Sequence, residues 1–167
     1  MGMFKANKYQ KKMTLTFLGI HVLINLLVLL MYGTNHPLNP IIRGLPTLVK
    51  IAITSLFAFG VYAIFAYFAV LFKRTVDDIE GGIDRASIVL MMILGIAFII
   101  IFALMYLPRT YPLWVIYAGL NPIFANVFFD TMKTDWTSFM WVVSSFIPSL
   151  AMIFGMSLRM KHLEGKI

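Results

Sequence analysis

Four stretches of this chain, residues 13–32, 48–72, 86–107 and 136–158, run almost unbroken in apolar side chains. About 20 such residues in a helix cover the hydrocarbon core of a bilayer. Burying all four in water would need a large soluble core, and a domain of this length still leaves roughly 30% of its unfolded surface exposed. The composition agrees: 60% of the 167 residues are hydrophobic and 13% charged, against about 45–50% and about 25% in soluble domains. The surplus belongs against lipid. A backbone in lipid has to satisfy its own hydrogen bonds, which leaves helices or a closed barrel. The runs are continuous and lack the alternation of barrel strands. The expected fold class is therefore an all-α integral membrane protein, one polytopic domain over residues 1–167 built as a bundle of four transmembrane helices.

A fifth apolar stretch, YPLWVIYAGLNPIFANVFFD at residues 111–130, is the ambiguous one. Pro122 has no N–H and drives Asn121 out of the helical region, and Gly119 adds freedom just before it. The expectation is two short pieces forming a broken, re-entrant or surface-lying helical hairpin. The alternative is a kinked fifth transmembrane helix.

Basic residues decide between these. With four spans, Lys5, Lys8, Lys11, Lys12, Lys73, Arg74, Arg85, Arg159, Lys161 and Lys166 share one side, and Arg43, Lys50, Arg109 and Lys133 the other. With five spans the division becomes nearly even. The excess of Lys and Arg belongs on the cytoplasmic side. Four spans with both termini cytoplasmic, in a bacterial plasma membrane, is the preferred topology. The basic N-terminal segment resembles a signal peptide, but its apolar run is long and no A-x-A-like site follows, so it reads as a retained first span. Gly2 is not followed by Ser or Thr at position 6, so the myristoylation pattern fails.

Punctuation between the spans is legible. GTNHPLNPIIRGLP, with its prolines and glycines, reads as a loop feeding Pro46 into the first turn of the second span. Gly81-Gly82 is expected to end a helix and Asp84 to cap the next, with Asp135 capping the last span. Tyr106, Tyr111, Trp114, Trp136 and Trp141 would form an interfacial aromatic belt.

Candidate sites are few. His21 and Asn25 lie four apart on one face of the first span. They are either a substrate or proton contact, as intramembrane polar groups often are, or a hydrogen-bonded attachment to a neighbouring helix. On the second span Ala52, Ser55, Phe59, Tyr62, Ala66 and Ala69 recur at helical spacing. Ser138, Trp141, Ser145, Pro148, Met152 and Gly155 do so on the last. These are seams for close packing, or else a substrate path lined by Tyr62, Ser145 and Pro148. Pro148 should kink the last span and free the carbonyl of Ser144. Asn35, His36, Asn39, Arg43, Arg109, Asn121 and Asn126 are the polar members of an outer-face cap or partner site. Asp77, Asp78, Glu80 and Asp84 gather in one loop without the spacing of a calcium loop.

Catalysis finds no support. There is no G-x-S-x-G, H-E-x-x-H or Walker loop, no Asp or Glu within a span, and no cysteine. No cofactor, metal site or nucleic-acid partner is expected. The charge of +7 matches anionic lipid head groups instead. The functional expectation is a non-enzymatic subunit or accessory partner of a larger membrane complex, bound to the bilayer and to another membrane protein or to itself. The alternative is a small transporter, substrate-binding membrane subunit or channel using His21, Asn25, Tyr62 and Ser145.

Overall fold

The structure, a computed structural model, describes residues 8–31, 38–42, 44–69, 76–106, 113–125 and 136–165. Apart from a few turn residues they are helical, with no strand among them. The helices are α1 (Lys8–Met31), α2 (Asn39–Ile42), α3 (Thr47–Ala69), α4 (Val76–Tyr106), α5 (Leu113–Leu120) and α6 (Ile147–Leu163). Two 3-10 stretches, Pro122–Phe124 and Trp136–Ser145, follow α5 and precede α6. Four helical segments are long and apolar enough to cross a membrane: Gln10–Leu30, Thr47–Ala69, Gly82–Met105 and Ser138–Leu163.

These four form a ring in which α3 packs chiefly on α6 and α1 on α4, closed by contacts of α4 with α6 and of α1 with α3. The inward faces follow helical spacing. On α1 they are Phe17, Ile20, His21, Ile24 and Val28; on α4 they are Ala86, Leu90, Leu94, Phe98, Phe102 and Met105. The outward faces are apolar as well, with Leu15, Leu26, Leu30, Leu56, Ile64, Phe68, Ile96 and Phe154 exposed.

Helix direction follows from side-chain pairs. Phe59 meets Phe154, Ala63 lies against Gly155, and Tyr67 meets Arg159. Residue numbers rise together along this interface, so α3 and α6 run parallel. Arg85 donates to Gln10 near the starts of α4 and α1, so these two also start at a common end. Trp114 and Trp136 both lie against Phe102, toward the far end of α4. The chain between α4 and α6 therefore leaves and returns at one end of the bundle. A crossing there would have made α6 antiparallel to α3.

Several details differ from the sequence reading. Gly81-Gly82 does not end a helix. α4 is continuous from Val76, because a helical glycine costs only about 1 kcal/mol and tertiary packing outweighs that; Gly82 itself is buried. Asp84 is accordingly inside α4 and caps nothing. Pro46 precedes α3, and its carbonyl accepts the Lys50 N–H. The turn before it needs Gly44, whose φ of 85° favours glycine. The last span is not one kinked helix. Residues 136–145 wind as a 3-10 helix, and Pro148 sits in the opening turn of α6, where a missing N–H is tolerated. Side chains three apart are eclipsed in a 3-10 helix, and Ser138, Trp141 and Ser144 are all buried. The Ser144 and Ser145 hydroxyls donate to carbonyls three residues back, Trp141 and Val142, at 2.6 Å each.

The aromatic belt is also corrected. Trp136 is exposed, but Trp114 and Trp141 are buried. Trp114 packs on Phe98 and Phe102, and Trp141 on Phe124. Aromatic rings fill the space left where a short element enters the bundle, so position in sequence does not decide their side. The Tyr106 side chain, Tyr111 and Asp135 lie outside the described residues.

Candidate functional site

The break after α5 organises the interior. α5 has eight residues and is about 12 Å long at 1.5 Å per residue. Asn121, at φ −141° and ψ 62°, leaves the helical region just before Pro122, as the clash with the proline ring requires. The Asn121 N–H still reaches the Tyr117 carbonyl at 2.9 Å, and the Phe124 N–H turns back to Asn121 at 3.1 Å. Phe124 would otherwise have served the Leu120 carbonyl, four residues back. That carbonyl is left to side chains.

His21 and Asn25 supply the donors. The ring Nε2 of His21 lies 3.0 Å from the Leu120 oxygen, and the Asn25 amide donates to the same oxygen at 2.9 Å. A carbonyl oxygen only accepts, so Nε2 carries the proton and Nδ1 is left as an acceptor. The Tyr62 hydroxyl donates to Nδ1 at 2.8 Å and lies 3.5 Å from the Asn25 amide oxygen. The His21 and Tyr62 rings stack, with centroids 5.7 Å apart. The 3.0 Å approach of the Asn25 amide nitrogen to Nε2 results from two donors converging on one carbonyl. His21 falls at the middle of the apolar segment Gln10–Leu30.

A second set holds the other side of the break. The Asn121 amide donates to the Ser144 carbonyl at 3.1 Å, the carbonyl that Pro148 cannot serve. Tyr117 and Ser144 hydroxyls lie 2.8 Å apart. Asn121, Pro122, Ile123 and Phe124 are buried, with the 3-10 turn packed against both α1 and α3. The 3-10 turn is thus enclosed by the helices, while Val115, Ile116 and Leu120 of α5 are exposed.

Sequence-predicted residues divide accordingly. His21, Asn25 and Tyr62 come together. Ser145 does not join them; its hydroxyl points back to Val142 and faces Gly95 of α4. Asn121 is fully buried and so belongs to the interior, not to an outer cap. Asn35, His36, Arg43, Arg109 and Asn126 lie outside the described residues, as do the side chains of Asn39, Asp77, Asp78 and Glu80. The seam on the last span is buried at every named position. The seam on α3 shifts phase: Thr54, Ala58, Tyr62 and Ala66 are fully buried, whereas Ala52 is exposed and Ser55 and Phe59 half-buried. Three participants escaped the sequence reading: Tyr117, the Ser144 hydroxyl and the Leu120 carbonyl. Tyr117 was within reach, since it lies one turn before Asn121 on the same face.

The arrangement binds a broken helix end by neutral hydrogen bonds from two neighbouring helices and the 3-10 stretch. No known protein family, curated protein or solved structure matches this chain. What the fold defines is a class: the described residues are almost all helical, with four helices among them long and apolar enough to span a membrane, compatible with a membrane location.

Proposed function

We propose that this protein is a non-enzymatic integral membrane subunit or accessory protein, acting through helix–helix contacts with another membrane component or a second copy. In this reading the four long helices cross the bilayer, and the α5–Asn121–Pro122 element is a re-entrant plug. Both termini are cytoplasmic, the side that the excess of Lys and Arg favours. The observation that carries the reading is how the interior polar groups are used. His21, Asn25, Tyr62, Tyr117, Asn121 and Ser144 bond to one another and to the carbonyls of Leu120 and Ser144. Polar groups in lipid are retained where they hold helices together or serve a substrate, and here their bonds go to the fold. The transporter alternative would instead require these same groups to release the helix break in order to receive a solute.

Purification in a mild detergent tests the proposal, using the full chain with a C-terminal tag. Co-isolation of a membrane protein in fixed ratio, or a defined homo-oligomer, supports it. A monodisperse monomer that carries a solute flux in liposomes overturns it in favour of transport.

A further inference from the structure

Helices α3 and α6 approach unusually closely at Gly155. A Cβ placed there would overlap the backbone of Ala63. Small residues permit such backbone contact between membrane helices. One turn further along, four residues on from each partner, stand Tyr67 and Arg159. The same close approach therefore fixes them side by side. The Arg159 guanidinium lies over the Tyr67 ring, 5.2 Å from its centroid, and Nη1 donates to the Tyr67 hydroxyl at a long 3.5 Å. The Arg159 Nε is buried and has no hydrogen-bond partner among the described residues. Arg159 is half-buried, and no carboxylate of the described residues pairs with it.

Lys161 and His162 are exposed two and three residues further on, followed by the exposed Glu164. The end of α6 does not use the Lys161 or His162 side chains as caps. The Glu164 N–H donates to Met160, and the Gly165 N–H to His162, with Gly165 at φ 69°. An arginine fixed on an aromatic face presents a planar fork of donors that matches the oxygens of a phosphate in a way that a flexible lysine does not.

We propose that Tyr67 and Arg159 form a binding site for the phosphate of an anionic phospholipid head group at the cytoplasmic ends of α3 and α6. Arg159 supplies the charge and paired donors, and the Tyr67 hydroxyl a further donor. The acyl chains would lie along the exposed apolar surface that includes Phe68 and Leu158. The inference rests on the membrane-spanning part of the proposed function and not on its partner. Failure of that part would appear separately, as protein released from membranes by alkaline carbonate without detergent.

Native mass spectrometry of the full chain from an uncharged detergent is the test, with phosphatidylglycerol, phosphatidylcholine and soluble glycerol 3-phosphate as probes. Wild type should retain phosphatidylglycerol over phosphatidylcholine by about tenfold, equivalent to about 1.4 kcal/mol. R159Q should abolish that preference, Y67F reduce it, and R159K keep only part of it. K161Q, on an exposed neighbour, should leave it intact. Retained preference in R159Q would overturn the site. Equal loss in K161Q would also overturn it, replacing it with diffuse surface attraction. Glycerol 3-phosphate bound as tightly as the lipid would make the ligand a free phosphate and overturn the lipid assignment. Should R159Q not purify folded, an unchanged preference in both Y67F and R159K would be the overturning result.

Discussion

The side-chain amide of Asn121 donates to the backbone carbonyl of Ser144, 3.1 Å away in the buried core. Each residue stands beside a proline-made defect. Pro122 breaks the helix that Asn121 ends, and Pro148 has no N–H to give Ser144 four residues back. One defect supplies the donor that the other lacks, tying the break after α5 to the 3-10 stretch before α6.

Replacing Asn121 by Ala should thus strand a buried acceptor, at a cost of about 1–3 kcal/mol. N121D should cost more than N121A, since it sets a carboxylate oxygen against a carbonyl oxygen. P148A restores an N–H near Ser144, so the double variant N121A/P148A should recover part of the loss. Reversible unfolding in mixed detergent micelles measures all four proteins. A double variant no more stable than N121A would sink the idea that the two prolines are coupled through this carbonyl.

The Leu120 carbonyl accepts from both His21 and Asn25, so losing either donor leaves it served. Single changes H21L and N25L should each cost on the order of 0.6–1.7 kcal/mol, the range for hydrogen bonds between membrane helices. The double variant should cost more than their sum, because only then is the carbonyl orphaned. Tyr62 gives an internal check. Y62F should be costly in wild type and nearly neutral in H21L, where its main partner is already gone. Additivity across both cycles, read from the same unfolding assay, would argue against a shared network.

Much of this was legible from residue chemistry. The four long helices follow from apolar run length, and the break at residues 121–122 from what proline does to the residue before it. The freed Ser144 carbonyl was also foreseeable, though not the donor that meets it. The phase of α3 was not. Where both the inward and the outward face of a helix are apolar, the contrast that reveals the inward face disappears. Thr54 and Ala58 were missed and Ala52 included for that reason. The same loss of contrast made Trp114 and Trp141 look interfacial. Gly81-Gly82 misled for a different reason. Glycine is a weak helix breaker, and the rest of α4 is long enough to carry it through.

The α3–α6 contact makes the two helical glycines of this interface region unequal. At Gly155 an added Cβ would meet the Ala63 backbone, whereas at Gly60 it would meet nothing within 4 Å. Backbone cannot yield as a flexible side chain can, so G155A should force the helices apart and cost more than about 3 kcal/mol, at the severe end for point changes. G60A should be neutral or stabilising by up to about 1 kcal/mol, from helix propensity alone. Thermal unfolding of the two variants beside wild type decides this. Comparable losses at both positions would mean that the close approach is not where the geometry puts it.

The chain has no cysteine, which makes its topology testable without background. α3 and α6 run parallel, and Trp114 and Trp136 meet the same end of α4, so residues 107–135 should begin and end on one side of a membrane. Single cysteines introduced at positions 36 and 133 should label from the same side, and those at 78 and 165 from the other, cytoplasmic side. A membrane-impermeant maleimide applied to inverted and right-side-out vesicles reads this directly. Labelling of 36 and 133 from opposite sides would require a fifth crossing. α6 would then have to run antiparallel to α3, a direction in which Tyr67 could not stand one turn beyond Ala63 while Arg159 stands one turn beyond Gly155.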